Sequence, residues 1–218
     1  MTVQPEMTQE PRLGVDVIGF GVGELAYLLN VFEGPARDRS VSVFRAEELV
    51  EDSTLNTAGA SSLLARDLAV VGDDDDELGV KGVAAAVATA LGQATRWTEM
   101  SLLTEDSMDN VVLLEAPEVS LMLQPRALGT WFAFAQDPTI SSAEATLRVL
   151  RQHVDEHPGG TAYLVFKTLQ DEKHLLIRRD GDSWATGVPD FATDEVAESA
   201  PLDDAGLLGA IKESRGEA

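Results

Sequence analysis

Few residues in this chain have the type and spacing that chemistry needs. The run Val15-Asp-Val-Ile-Gly19-Phe-Gly21-Val-Gly23-Glu24 places clustered glycines between an apolar strand pattern and a helical one. That layout lets a pyrophosphate meet backbone N–H groups at a helix N-terminus. Glu24 stands where the third glycine of such a fingerprint belongs, and its carboxylate competes with the phosphate for the same amides. His153 and His157, at i and i+4, share a helix face as zinc ligands do. The residue after the first histidine is Val154 and not the glutamate of HExxH, and the dipole of a helix C-terminus accounts for the pair. The acids from Asp73 to Glu77 are contiguous, without the alternating ligand positions of a calcium loop, and they suit the start of a following helix. Ser61-Ser62 and Ser141-Ser142 fall at expected helix starts, where hydroxyls cap, and no G-x-S-x-G elbow is present. There is no cysteine, hence no thiol nucleophile and no disulfide framework. No catalytic residue, cofactor site or metal site is assigned.

Charge narrows the partners. Asp and Glu number 38 against 16 Lys and Arg, a formal net charge of −22. Such a surface repels nucleic-acid backbones and anionic membranes, so neither is expected as a partner. An apolar fraction of 44% is enough for a sizeable core. No apolar run approaches the roughly 20 residues of a membrane-spanning helix. The opening MTVQPEMTQEPR has neither the basic start nor the apolar run of a secretory signal, and a cytoplasmic location is expected.

The elements that would hold these residues follow from periodicity. Leu25, Leu28, Leu29 and Phe32 form one helical face that ends at Gly34-Pro35. Val41-Ser-Val-Phe44 alternates as a short strand. A helix is expected from about Thr57, with Leu64, Leu68 and Val71 as its stripe and Gly72 as its stop. Another is expected over about 80–95. From Arg96 the period falls to 2, which predicts strands over 97–103, 111–116, 119–124 and 129–135, joined by turns too short for anything but antiparallel neighbours. Ser141 with Glu144 is a capping-box signature, and it opens a helix that closes before Pro158. Strands over 163–169, 174–179 and 184–186 form a second meander, with Lys173, Arg178 and Arg179 as basic edge guards. A short helix holds Leu202, Leu207, Leu208 and Ile211. Helices and meanders are segregated, so the fold class is α+β with antiparallel sheet. The chain reads as one domain over 13–211, with two helix-plus-meander stretches, 13–138 and 139–211. Flexible tails are expected over 1–12 and 212–218.

The order of these elements resembles the EspG-type family of actinobacterial type VII (ESX) secretion proteins. The resemblance is carried by Glu24, Leu25, Leu28 and Leu29 in an E-L-x-x-L-L opening, by Leu63 to Leu68 in an L-L-A-R-D-L helix end, by the Trp131-Phe132 pair, and by Arg178 to Trp184 in an R-R-D-G-D-S-W segment. Asp67 stands where the family usually has glycine before the leucine, and the chain is shorter than typical members. The resemblance implies a cytosolic chaperone that binds the helical tip of a secreted heterodimer and keeps it soluble. It carries over no catalytic residues.

Two other readings stay open here. One is a nucleotide- or dinucleotide-binding enzyme using Gly19 to Glu24. The other is an acidic accessory or immunity protein for a basic partner. For a protein-binding function, the strands over 119–135 have two alternating faces that one core cannot take up. Val119, Leu121 and Leu123, with Trp131 or Phe132, are expected to pack inward. Met122, Phe134 and Trp131 are the candidate partner-binding residues.

Overall fold

A computed structural model describes residues 17–72, 78–190, 192–193 and 195–217. The expected tail over 1–12 and the acid run Asp73 to Glu77 lie outside the described residues. The chain forms β1 (Val17–Gly21), α1 (Val22–Leu29), α2 (Pro35–Phe44), α3 (Glu47–Glu51), α4 (Ser53–Ala65), β2 (Ala69–Val71), β3 (Leu78–Val80) and α5 (Gly82–Gln93). A meander of β4 (Arg96–Leu103), β5 (Met108–Glu115), β6 (Ser120–Arg126) and β7 (Thr130–Ala135) follows. Then come α6 (Ser142–Glu156), β8 (Thr161–Lys167), β9 (Glu172–Asp180), β10 (Ser183–Asp190), β11 (Glu195–Glu198) and α7 (Asp204–Arg215). The fold is α+β, as its segregated patterns predict.

Among the described residues nine strands make one antiparallel sheet in the order β1-β7-β6-β5-β4-β8-β9-β10-β11, and β2 with β3 forms a separate antiparallel pair. The two meanders join where β4 pairs with β8, from Trp97 opposite Lys167 to Leu103 opposite Thr161. Successive side chains of a strand point to opposite faces, and β5 shows the consequence. Val112 and Leu114 enter one core with α1, α2 and α5, whereas Val111 and Leu113 enter a second core with α6 and α7. Each group of helices covers only part of its own face. The first lies over β1, β7, β6, β5 and the Trp97 end of β4, and the second over β5, β4, β8, β9 and β10, with Met122 of β6 packed at its rim.

Local chemistry explains the helix limits. Ser141 Oγ accepts the Glu144 N–H and Glu144 returns a bond to Ser141, the predicted capping box that opens α6. Inside the first core, Ser40 Oγ donates to the Leu91 carbonyl at 2.6 Å and accepts Trp97 Nε1–H at 2.9 Å, linking α2, α5 and β4.

Four expectations are corrected. Val41 to Phe44 is helix and not strand. Pro35 at the first turn starts α2, and Val41 and Phe44, three apart, face the core together. The stripe Leu64, Leu68 and Val71 does not lie on one helix. α4 ends at Ala65, Asp67 takes a left-handed backbone (φ 59), and the chain turns into β2. The segment expected to be a flexible tail after Ile211 is helical as far as Arg215, whose side chain is only 2% exposed. Pairing extends the sheet through β1 and β11, so β9, with Lys173, Arg178 and Arg179, lies inside the sheet and not at an edge.

Candidate partner-binding surface

The glycine segment is shaped by packing. The Gly21 N–H donates to Glu24 Oε2 at 2.9 Å, so α1 opens on its own carboxylate. The same buried carboxylate accepts Ser62 Oγ–H at 2.7 Å and the Arg66 guanidinium at 2.6 Å. Gly23 meets Gly59 of α4 so closely that a Cβ on Gly59 would fall 1.9 Å from the Gly23 carbonyl oxygen. Gly19 lies against the Phe132 ring on the adjacent strand. The Gly21 amide, which an incoming phosphate would need, is therefore already engaged by a carboxylate from within the fold.

The histidines are likewise accounted for. His153 is buried, with Nε2 3.1 Å from the carbonyl oxygens of both Leu103 and Thr161, which clamps α6 to the ends of β4 and β8. His157 caps the same helix. Among the described residues no group of three or more His, Cys, Asp or Glu is arranged to hold a metal ion.

The sheet leaves two stretches of face that the described helices do not cover, and they differ in chemistry. On β4, β8 and β9 the open stretch is a charged ladder. Lys167 contacts Glu99, and Glu172 sits 3.0 Å from His174 Nε2 and 3.6 Å from Lys167 Nζ. Tyr163 Oη and His174 Nδ1 are 2.6 Å apart. Burial, with Glu172 and Glu99 nearby, holds the Tyr163 phenol above its ordinary value, so it stays protonated at neutral pH and is not an activated nucleophile.

The second stretch lies on β6, β7 and β1. Met122 is the cross-strand partner of Phe134, Gln124 is the partner of Phe132, and Phe134 in turn faces Val17. Phe132 and Phe134 are half-buried, Met122 is half-buried at the rim of the second core, and Val17 is exposed. Alternate residues from Ser120 to Arg126, Thr130 to Phe134 and Val17 to Gly21 share this face, and none is acidic. At its end, the β6–β7 turn holds Leu128 with φ 62 and 99% exposed.

The structure thus brings Met122 and Phe134 together and separates Trp131 from them. Trp131 points to the opposite face, packs against the first core and meets Phe44 edge-on at 5.1 Å. Leu121 and Leu123 are buried on that face, as alternation predicts. Phe132 and Val17 complete the open strip. The alternation of Phe132 with Phe134 carried the signal for the first, whereas Val17 joins only through the pairing of β1 with β7.

Neither a family model nor a curated protein sequence matches the chain. A likeness appears at the level of structure. The chain is similar to the Mycobacterium tuberculosis type VII secretion system chaperone EspG5, solved in complex with a PE25–PPE41 dimer, with a TM-score of 0.52 and 12% identity. The likeness covers 91% of this chain and 95% of that one. At that identity it is a likeness of fold. No helix among the described residues is long and apolar enough to cross a membrane.

Proposed function

We propose that this chain is a non-catalytic, chaperone-like protein of the type VII secretion kind, which binds a helical secretion substrate in the cytoplasm and keeps it soluble. The observation that carries the reading is the acid-free strip around Met122, Phe132 and Phe134 on a chain of net charge −22. Carboxylates are dense elsewhere, so an apolar stretch of sheet without them is where a partner's apolar surface can dock without desolvating charge. The thioether of Met122 adapts its shape to different side chains. The fold likeness to EspG5, a chaperone solved with its dimeric partner, supports the same reading.

Co-expression with a PE–PPE-type heterodimer, followed by size-exclusion chromatography, tests it. Co-elution is the expected result, with loss of co-elution for Phe134→Asp. That variant should melt within a few degrees of the parent, since it changes a half-buried surface position. Failure to bind any such dimer, combined with calorimetric binding of NAD or ATP, would replace this reading with the nucleotide one.

A further inference from the structure

The two edges of the nine-stranded sheet are treated differently by the sequence. β11 is Glu-Val-Ala-Glu, exposed throughout, and its neighbour β10 places Pro189 opposite Val196. Glutamates and a nearby proline discourage strand addition, which is how proteins protect an edge. The opposite edge, β1, is Val-Ile-Gly-Phe-Gly, with neither a charge nor a proline over Val17–Gly21. Among the described residues no strand lies outside it.

An edge strand presents alternate N–H and C=O groups outward, and unprotected ones are a template for another chain. Two features make this one approachable. Gly19 and Gly21 leave the backbone bare of side chains, and the Gly21 N–H is already taken by Glu24, which marks the C-terminal limit of the open template. The edge also continues the acid-free strip, because Val17 is the cross-strand partner of Phe134.

We propose that the outer edge of β1 receives an extended segment of another protein as a tenth strand of the sheet. Its side chains on the Val17 side are apolar, continuing the strip, and its remaining charge is neutral or basic. Two copies of this chain would bring together surfaces of −22 each, which disfavours a second copy as the occupant. A basic or uncharged segment meets the opposite field, while main-chain hydrogen bonds supply the affinity. The inference stands apart from the chaperone reading, since it requires an extended partner and not a helical one.

The test uses the full chain, isotope-labelled, with a capped eight-residue peptide of alternating valine and lysine as the probe. Amide exchange is read at Val17 to Phe20. The peptide should slow exchange of the outward-facing amides by about tenfold or more at low salt, and less at high salt. The same peptide N-methylated at alternate residues should have no effect, and one of alternating valine and glutamate should act more weakly. Equal effects from the methylated and unmethylated peptides, or none from either, would overturn the proposal. So would protection of these amides in the free chain, which would assign the edge to a second copy if sedimentation shows a dimer and to the chain's own segment if it shows a monomer. Capture of a helical dimer is read separately by co-elution, so either inference can fail alone.

Discussion

Arg215 and Glu115, 100 positions apart, meet with Nη2 and Oε2 at 2.5 Å. Glu115 uses its other oxygen to accept Ser142 Oγ–H at 2.6 Å, and Arg215 also donates to Thr98 Oγ1 at 2.7 Å. One carboxylate on β5 therefore holds the start of α6 and the end of α7. Arg96 completes the arrangement by donating to the Arg215 carbonyl at 2.6 Å, at the C-terminal end of the helix. Glu115 is partly exposed, so removing Arg215 leaves its carboxylate incompletely solvated, which costs about 1–3 kcal/mol. Arg215→Ala, and likewise truncation after Ile211, should lower unfolding stability by about that amount in urea titration. A loss below about 1 kcal/mol would mean that water re-solvates Glu115 and the latch adds little.

Gly59 should tolerate no side chain. The Gly23 carbonyl carbon would lie 2.3 Å from an added Cβ as well, so backbone must move to admit it. Gly59→Ala should destabilise by about 3 kcal/mol, as overpacking of a close helix contact does, despite alanine's better helix propensity. Gly209, whose Cβ would meet nothing within 4 Å, is the control. Its alanine variant should gain up to about 1 kcal/mol. Equal melting temperatures for the two variants would contradict the crossing geometry.

Asp67 occupies a left-handed backbone position (φ 59), the conformation that favours glycine at a helix C-terminus. The Leu68 N–H reaches the Leu63 carbonyl at 2.8 Å and the Asp67 N–H reaches Leu64 at 3.1 Å, the two bonds of a Schellman C-cap. Asp67 is the left-handed residue of that motif, and its carboxylate pairs with Lys81 at 2.5 Å. The pair is exposed and contributes little. Asp67→Gly should therefore stabilise by about 0.5 kcal/mol. Asp67→Ala, which keeps the strain and loses the pair, should destabilise, and thermal melts of both variants decide the sign.

The Asp204 carboxyl is held below its ordinary value, first by the hydrogen bond from Trp184 Nε1 at 2.6 Å and then by Arg151 and Arg179. A depressed folded value means the unfolded chain binds the proton more readily. Its stabilisation is therefore present above the ordinary value of 3.8 and is lost as pH falls through the lower folded one. Asp204→Asn should flatten the acid limb of the stability profile below about pH 4, with little change at pH 7 in how stability depends on pH. An unchanged acid limb would remove Asp204 from the groups that drive acid unfolding.

Much of the sheet was legible because the chain writes it locally. The alternation from Trp97 to Ala135 and the Ser141–Glu144 box need only neighbouring residues, and both stand as read. The helix over Pro35–Phe44 was less legible because V-S-V-F satisfies both a period of 2 and a three-residue spacing. The proline at its first turn decides between them. β11 carries no apolar alternation at all, so its pairing with β10 left no pattern to find. For the candidate surface, alternation over 119–135 distinguishes Leu121 and Leu123 from Met122 and Phe134, but it leaves Trp131 both as an inward residue and as a candidate partner contact, and the packing against Phe44 places it inward. Which face stays open depends on where the helices of distant segments land, and that information is non-local.

β1 finds its neighbour late. Its partner β7 is roughly 110 residues further along, and at about 5–20 residues per second a ribosome needs on the order of 5–20 s to deliver it. During that interval Val17 to Gly21 has emerged, together with the helices that follow it, but its sheet does not yet exist. The segment that closes one end of the finished sheet is thus the one the nascent chain must carry longest without its pairing strand.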